Sequence, residues 1–317
     1  MRALVTGCAG FIGSHLSESL LEDGHEVVGI DCFNDNYGRP QKLRNLERAR
    51  SWDGFDFVPI DLARGELDVV VADSDVIFHL AAEPGVRLSW GSRFESYVRN
   101  NVTATQHLLE SAQREPGRRF VLASSSSIYG QAEQFPTSED AMPAPVSPYG
   151  ATKLMSEHLL SLYHVNHGLE VVALRYFSVY GPRQRPDMAF TIFARALLEG
   201  EPIELFGGDQ TRDFTYVGDV VAATRAVGDG AAPSGSVMNI GGGSRVSLRE
   251  AVAVLEQVSG CEAQIVSTAT QLGDVRDTSA DISRARALIG YEASTTLAIG
   301  LAAQWEWASG AALPRGR

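Results

Sequence analysis

The sequence predicts an α/β fold: a doubly wound parallel sheet with a smaller mixed α/β lobe toward the C-terminal end. Three observations carry that expectation. A glycine turn joins an apolar strand to an amphipathic helix at the start of the chain. Strand-like and helix-like segments then alternate to about residue 176. Beyond 177 the periodicity weakens as Gly, Pro and Arg become frequent.

Arg2-Ala3-Leu4-Val5-Thr6 reads as the first strand, the stretch Gly7 to Gly13 as the turn, and Ser14 to Leu21 as the helix. Glycines at 7, 10 and 13 permit a tight turn, a close approach of backbone to a pyrophosphate, and close packing of helix on sheet. Phe11 and Ile12 share that turn, and the helix N-terminus behind them offers free N–H groups and the positive end of its dipole. A second strand over 26–30 ends at Asp31, 18 residues past Gly13. A carboxylate there binds adenosine ribose hydroxyls and repels a 2′-phosphate, so NAD is expected rather than NADP.

Further strands are expected at 55–60, 75–80, 119–124 and 170–176, with helices between them. The Pro-rich run from Phe135 to Pro148 is a loop that delivers Tyr149 to its helix. Later helices are expected near 189–199, 217–228, 247–259 and 281–289. The division expected is residues 1–176 for the dinucleotide and 177–317 for the substrate, with later segments returning to the first domain. The second lobe caps the carboxyl ends of the strands, where ligands bind in such sheets.

Composition limits the partners. With 317 residues, 44% of them hydrophobic, the chain buries one large core or two unequal lobes. A net charge of −12 argues against nucleic acid and against an anionic membrane surface. Cys8, Cys32 and Cys261 are few, odd in number and widely spaced, the usage of a reducing cytoplasm. No signal peptide or membrane-spanning run is read, and His158, His164 and His167 lack the companions of a metal site, so no metal is expected.

Tyr149 and Lys153 are four residues apart, which on a helix sets them on one face. A lysine so placed holds the phenol near positive charge and favours the phenolate, a usable general base.

The spacing Gly7-x-x-Gly10-x-x-Gly13, the Tyr149-x-x-x-Lys153 pair and the string Ala123-Ser124-Ser125-Ser126-Ser127-Ile128-Tyr129-Gly130 resemble the extended short-chain dehydrogenase/reductases, a family with a Rossmann sheet. His79-Leu80-Ala81-Ala82, Asn100-Asn101-Val102, Leu174-Arg175-Tyr176-Phe177 and Thr211-Arg212-Asp213-Phe214 extend the resemblance to the nucleotide-sugar branch, over nearly the whole chain. The resemblance implies tightly bound NAD, a UDP-sugar substrate and a homodimer. It gives Ser125, Tyr149 and Lys153 the catalytic roles. Tyr149 as phenolate takes the sugar 4-OH proton while C4 gives hydride to NAD, and Lys153 binds the nicotinamide ribose. If the 4-keto sugar turns over and is reduced on its other face, C4 is inverted with no net redox change.

Other roles come with the same resemblance. Asn34 and Lys42 sit at the adenosine end, Asp61 and Leu62 at adenine, and Leu80, Ala81 and Ala82 at ribose and phosphates. Asn100 and Ser124 face the nicotinamide side and Phe177 its ring. Arg87, Arg212 and Arg276 are candidates for the diphosphate or sugar, and Phe206 for uracil. The related 4,6-dehydratases carry Asp-Glu where this chain has Ser126-Ser127, and the UDP-glucuronate decarboxylases carry Glu at Ser127. Epimerisation needs neither acid. Ser178 stands where UDP-glucose 4-epimerases commonly carry Asn, and Gly181-Pro182-Arg183-Gln184-Arg185-Pro186-Asp187-Met188 resembles bacterial UDP-glucuronate 4-epimerases. Arg185 then becomes a bidentate partner for a C6 carboxylate, with Ser126, Ser127 and Ser178 as neutral donors. UDP-glucuronate is the expected substrate and UDP-glucose the alternative. A 4-keto reductase and a non-catalytic dinucleotide-binding protein stand further off, the last opposed by an intact Tyr-x-x-x-Lys.

Overall fold

The computed structural model describes residues 1–35, 37–115, 117–268 and 273–310. Its first half alternates strand and helix: β1 (Arg2–Thr6), α1 (Phe11–Glu22), β2 (Glu26–Ile30), α2 (Arg39–Glu47), β3 (Phe55–Val58), α3 (Asp68–Ala72) and β4 (Val76–His79). Then come α4 (Phe94–Tyr97), a π-helical segment (Val98–Thr103), α5 (Ala104–Ala112), β5 (Arg119–Ser125), α6 (Pro148–His167) and β6 (Glu170–Tyr176). The later half holds β7 (Ser178–Tyr180), α7 (Ala189–Glu199), β8 (Ile203–Phe206), β9 (Thr211–Arg212), β10 (Phe214–Tyr216) and α8 (Val217–Gly228). It closes with β11 (Ser236–Ile240), β12 (Val246–Ser247), α9 (Leu248–Ser259), β13 (Ile265–Thr268), α10 (Ser283–Ile289) and α11 (Leu297–Gly310).

Seven strands form one parallel sheet in the order β11-β6-β5-β4-β1-β2-β3. Ala3, Leu4 and Val5 are fully buried because helices cover both faces of β1, as a parallel sheet requires. Leu16 and Leu20 of α1 and Val220 and Val227 of α8 belong to the apolar cluster that includes Ala3 and Val5. Leu108 and Leu109 of α5 and Leu160 of α6 belong to the other, with Leu4 and Ile77. A third cluster joins α7, β8, α9 and α11 around Tyr180, Phe190 and Leu255. The chain winds outward from β1 through β2 to β3, then returns to lay β4 on the other side of β1. That reversal opens a crevice at the carboxyl ends of β1 and β4, the place where such sheets take ligands.

Local chemistry sets the helices that matter for the site. The Ser147 hydroxyl accepts from Gly150 N at 3.1 Å, Pro148 opens α6 with its φ preset, and Gly168 in the left-handed region (φ 70°) ends it. Ser247 and Glu250 form a reciprocal capping box on α9. Besides the short strands β7 to β10, β12 and β13, two larger features went unread in the sequence. The seventh strand, β11, comes from the later half, and α11 follows a stretch without a clear apolar stripe. The six earlier sheet strands and the four later helices lie within a residue or two of where periodicity put them.

Candidate active site

The crevice holds a cavity of about 210 Å³. Every residue expected at the dinucleotide lines it except Phe177. Glycine is required at its floor by contact. At Gly7 (φ 72°) a Cβ would lie 2.9 Å from Ala81 N and Cα, and at Gly13 only 2.2 Å from the Gly7 carbonyl oxygen. No side chain caps the N-terminus of α1, so its first N–H groups remain for a ligand. Asp31, at the end of β2, accepts from Phe33 N at 2.7 Å and lies 3.8 Å from Lys42 Nζ. Lys42 Nζ also donates to Asn34 Oδ1 at 2.5 Å. At the other side Asp61 pairs with Arg99 and accepts from Ala63 N at 3.0 Å.

These features fit a dinucleotide on structural grounds. The glycine cradle leaves no room for side chains where a pyrophosphate sits, and the carboxylate stands one strand away. The Tyr37 hydroxyl lines the cavity, is buried, and has no hydrogen-bond partner among the described residues. A buried hydroxyl left without a partner costs stability, which a ligand atom recovers.

The catalytic side of the cavity is a ladder between β5 and α6. Lys153 Nζ donates to the Ala123 carbonyl at 2.8 Å. The Ser125 hydroxyl accepts from Ser127 N at 3.1 Å and is close enough to Tyr149 to ease its ionisation. Burial pushes the Tyr149 phenol up, while the Ser125 hydrogen bond and the Arg185 charge work against that. Burial lowers Lys153 to about 8, with Glu157 opposing. Arg185 adds a second positive charge near Tyr149, and Lys153 is anchored on β5. Tyr97 packs edge-on against Tyr149 with centroids 6.3 Å apart, and donates its own hydroxyl to the carbonyls of Pro84 and Gly85.

Asn100 sits in the π-helical segment and donates to Glu83 Oε2 at 2.9 Å, an oxygen that Asn34 also reaches at 3.3 Å. Its neighbour Asn101 is buried. It accepts from Glu83 N at 2.6 Å and donates to Thr152 on α6 at 3.0 Å, tying the cavity wall to the catalytic helix. Wide turns of this kind recur at functional sites. Tyr37, Glu83 and Asn101 were not assigned from the sequence. No periodicity marks Tyr37, and Glu83 acts only through residues brought to it by folding.

A second cavity of about 160 Å³ is lined by Ser126, Ser127, Ser147, Ser178, Arg212 and Thr278 among others. Ser124 and Tyr149 line the first cavity, while Ser126, Ser127 and Ser147, their near neighbours in the chain, line the second. Three expected sugar ligands, Ser126, Ser127 and Ser178, do converge here, with Arg212. Arg87 covers the Phe206 ring at 4.5 Å and pairs with Asp274, which also lines this cavity, at 2.6 Å.

Other expected residues stand elsewhere. Phe177 is 4% exposed and packs in the core beside Tyr129, away from the cavity, because its backbone turns it under β11 to pair with Ile240 O. The Arg276 side chain is 80% exposed and lies 3.8 Å from Asp277. Arg185 lines the first cavity rather than the serine-lined one, and its fork is already taken: Nε and Nη2 donate to Asp187 at 3.0 and 2.8 Å.

A doubly wound parallel sheet, a glycine cradle at its switch point and a Ser–Tyr–Lys ladder beside it define an extended short-chain dehydrogenase/reductase. The chain belongs to the NAD dependent epimerase/dehydratase family, whose model matches residues 3–241. It is similar to the UDP-glucuronic acid 4-epimerase of Bacillus cereus solved with UDP-glucuronic acid and NAD, at 42% identity, covering 98% of this chain and 99% of that one, with a TM-score of 0.95. A Thermodesulfobacterium geofontis UDP-glucuronate 4-epimerase is 38% identical over 96% of this chain and 95% of its own. A Bacillus subtilis protein described as an uncharacterized UDP-glucose epimerase is 44% identical over 95% of this chain and 96% of its own. Among described residues no His/Cys/Asp/Glu group suits a metal ion, and no helix is long and apolar enough to cross a membrane.

Proposed function

We propose that this protein inverts C4 of a UDP-sugar with NAD as a resident cofactor, and that the sugar is UDP-glucuronate, giving UDP-galacturonate. The observation that carries this reading is the second cavity. It is lined by Ser126 and Ser127, next in the chain after Ser125, and by Ser147, two residues before Tyr149, and it offers neutral hydroxyls at Ser126, Ser127 and Ser178 where dehydratases and decarboxylases need acids. Its one lining carboxylate, Asp274, is held by Arg87. The similarity to the Bacillus cereus enzyme supports the uronate.

The residues divide the work. NAD, when bound, supplies reversible two-electron oxidation and reduction at the sugar carbon. Tyr149 takes the proton of the 4-hydroxyl on its phenolate oxygen and later returns it, a general-base role. Ser125 orients that hydroxyl through its own, which both donates and accepts. Lys153, fixed on Ala123, places positive charge beneath the site. Gly7, Gly10, Phe11, Ile12 and Gly13 cradle the pyrophosphate, and Asp31 takes the ribose. Asn34 and Lys42 hold the adenosine end, Asp61 and Leu62 the adenine. Leu80, Ala81, Ala82, Asn100 and Ser124 form the remaining wall. Residues 1–176 form the cofactor domain and 177–317 the sugar lobe, except that β11 joins the first sheet, α8 packs on it, and Ser126, Ser127 and Ser147 reach the sugar cavity.

The occupied Arg185 fork favours a second reading, UDP-glucose to UDP-galactose, because a carboxylate clamp must first give up Asp187. Proton NMR of products from UDP-glucuronate and, separately, UDP-glucose, without added NAD, decides. UDP-galacturonate alone upholds the proposal; UDP-galactose alone replaces it with the second reading. The protein is further read as a cytoplasmic homodimer. Met155, Leu162 and Val165 expose apolar surface along α6, and the three cysteines are free. Light scattering that gives a monomer's mass would refute the dimer.

A further inference from the structure

Glu157 lies one helical turn past Lys153 and two past Tyr149, so all three share a face of α6. That face meets the last three residues of β5 in a fixed pairing. Tyr149 stands by Ser125, Lys153 holds Ala123, and the Ser124 hydroxyl donates to Glu157 Oε1. The same carboxylate is forked by Arg175, whose Nε reaches Oε1 at 3.0 Å and whose Nη2 reaches Oε2 at 2.8 Å. Both partners are more than nine-tenths buried.

Arg175 is itself held in a row across the sheet. It is in register with Ser124 on β5 and with Asn239 on β11. Its Nη1 donates to the Tyr129 hydroxyl at 2.8 Å, which donates onward to Asn239 Oδ1 at 2.7 Å. Asn239 Nδ2 closes the row on the carbonyls of Thr137 and Asp281. A buried ion pair is costly to assemble, and packing alone needs none here. This one touches the strand end that carries the catalytic serine and the helix that carries the tyrosine and lysine.

We propose that Glu157 is a positioning residue for the reaction: through Ser124 it fixes the end of β5 against α6, and its charge, shared with Arg175, keeps Lys153 an ammonium ion. The catalytic meaning of Lys153 rests on the function proposed above. The other groups facing the lysine are Tyr149 on α6 and His79 on β4, which burial keeps neutral by lowering it to about 3. Glu157 is the anion that favours the ammonium. Arg185 acts on the far side, at Tyr149. Glu139 meets the row twice: its carbonyl accepts from Arg175 Nη1 at 3.1 Å and its carboxylate accepts from Asn239 N at 2.8 Å.

The sequence makes the test direct, because Lys42 and Lys153 are its only lysines. Holoenzyme grown on lysine labelled with carbon-13 at Cε gives two side-chain signals, and Lys42→Arg assigns them. Titration then reads the charge on Lys153 without any turnover, so failure of the sugar assignment leaves this test intact. Glu157→Gln removes the anion and bares Arg175, and should move the Lys153 midpoint down by about one pH unit. Arg175→Met bares Glu157 and should move it up. A merely structural pair would not give opposite shifts. The double variant Glu157→Gln/Arg175→Met removes the ion pair as a whole; it keeps the test open if a single variant fails to fold, and should still titrate below wild type. The alkaline limb of kcat should follow the same order. A Lys153 midpoint unchanged in Glu157→Gln or in the double variant, or equal shifts in both single variants, overturns the proposal.

Discussion

The Lys153 ammonium and the Ala123 carbonyl, 2.8 Å apart, join the catalytic helix to the strand that ends at the catalytic serine. The contact fixes where the charge sits. Burial in turn brings its proton affinity from 10.5 to about 8, within reach of ordinary assay conditions.

Turnover should therefore fall on the alkaline side. The ammonium is full well below pH 8 and lost as pH rises through about 8 in the cofactor-free chain. The stability sign is separate. Between 8 and 10.5 the unfolded chain keeps a proton the folded one has released, so this group adds stability as pH rises there. A kcat profile from pH 6.5 to 9.5 checks the catalytic half. A flat alkaline side contradicts it.

Removing the phenol oxygen tests the base. Tyr149→Phe should lower kcat by about 100-fold or more and leave NAD content unchanged, since the ring remains against Tyr97. Near wild-type rates in that variant would exclude Tyr149 as the base.

Freeing the Arg185 fork tests the sugar. Asp187→Asn should lower KM for UDP-glucuronate by roughly threefold to tenfold and leave UDP-glucose nearly unaffected, because only the uronate competes for the guanidinium. Equal effects on both sugars would make the pair a brace for the loop.

The glycine cradle should fail by contact. Gly13→Ala places a Cβ about where the Gly7 carbonyl oxygen stands, so it should strip NAD and cost about 1–3 kcal/mol. NAD content by absorbance and the melting temperature read both effects.

Asp213 gives an inverted acid response. It is fully buried, accepts from Gly242 N and from Ala280 N at 2.9 Å, and burial raises it from 3.8 to about 6 despite those bonds. Between pH 4 and 6 the folded state holds more of this proton than the unfolded one, so Asp213 weakens the fold as pH rises across that window. Denaturant unfolding at pH 4, 5 and 6 should show wild type losing stability relative to Asp213→Asn. A parallel pair of curves would refute the assignment.

The parts legible in the sequence are those whose reason is local. Gly7, Gly10 and Gly13 announce a turn, Asp31 ends a strand at a countable distance, and Tyr149 and Lys153 share a helical face. These residues do line one cavity. What the sequence hid depends on distant pairing. β11 looks like any apolar pentamer until it meets β6, and Glu83 matters only because Asn34 and Asn100 both come to it. The partner of Arg185 is hidden in the same way: its forked geometry suits a carboxylate, and the carboxylate it meets here is Asp187, two residues along.

The scarcity of lysine has a consequence for how the molecule meets covalent chemistry. Lys42 and Lys153 are 3% and 5% exposed, and both line the first cavity, while all other cationic side chains except histidine are arginines. The folded surface thus presents no ε-amine to acylating agents or to lysine-directed conjugation. A lysine modification found on this chain would mark a molecule that had opened its cofactor crevice or unfolded, so the adduct itself serves as a record of lost structure.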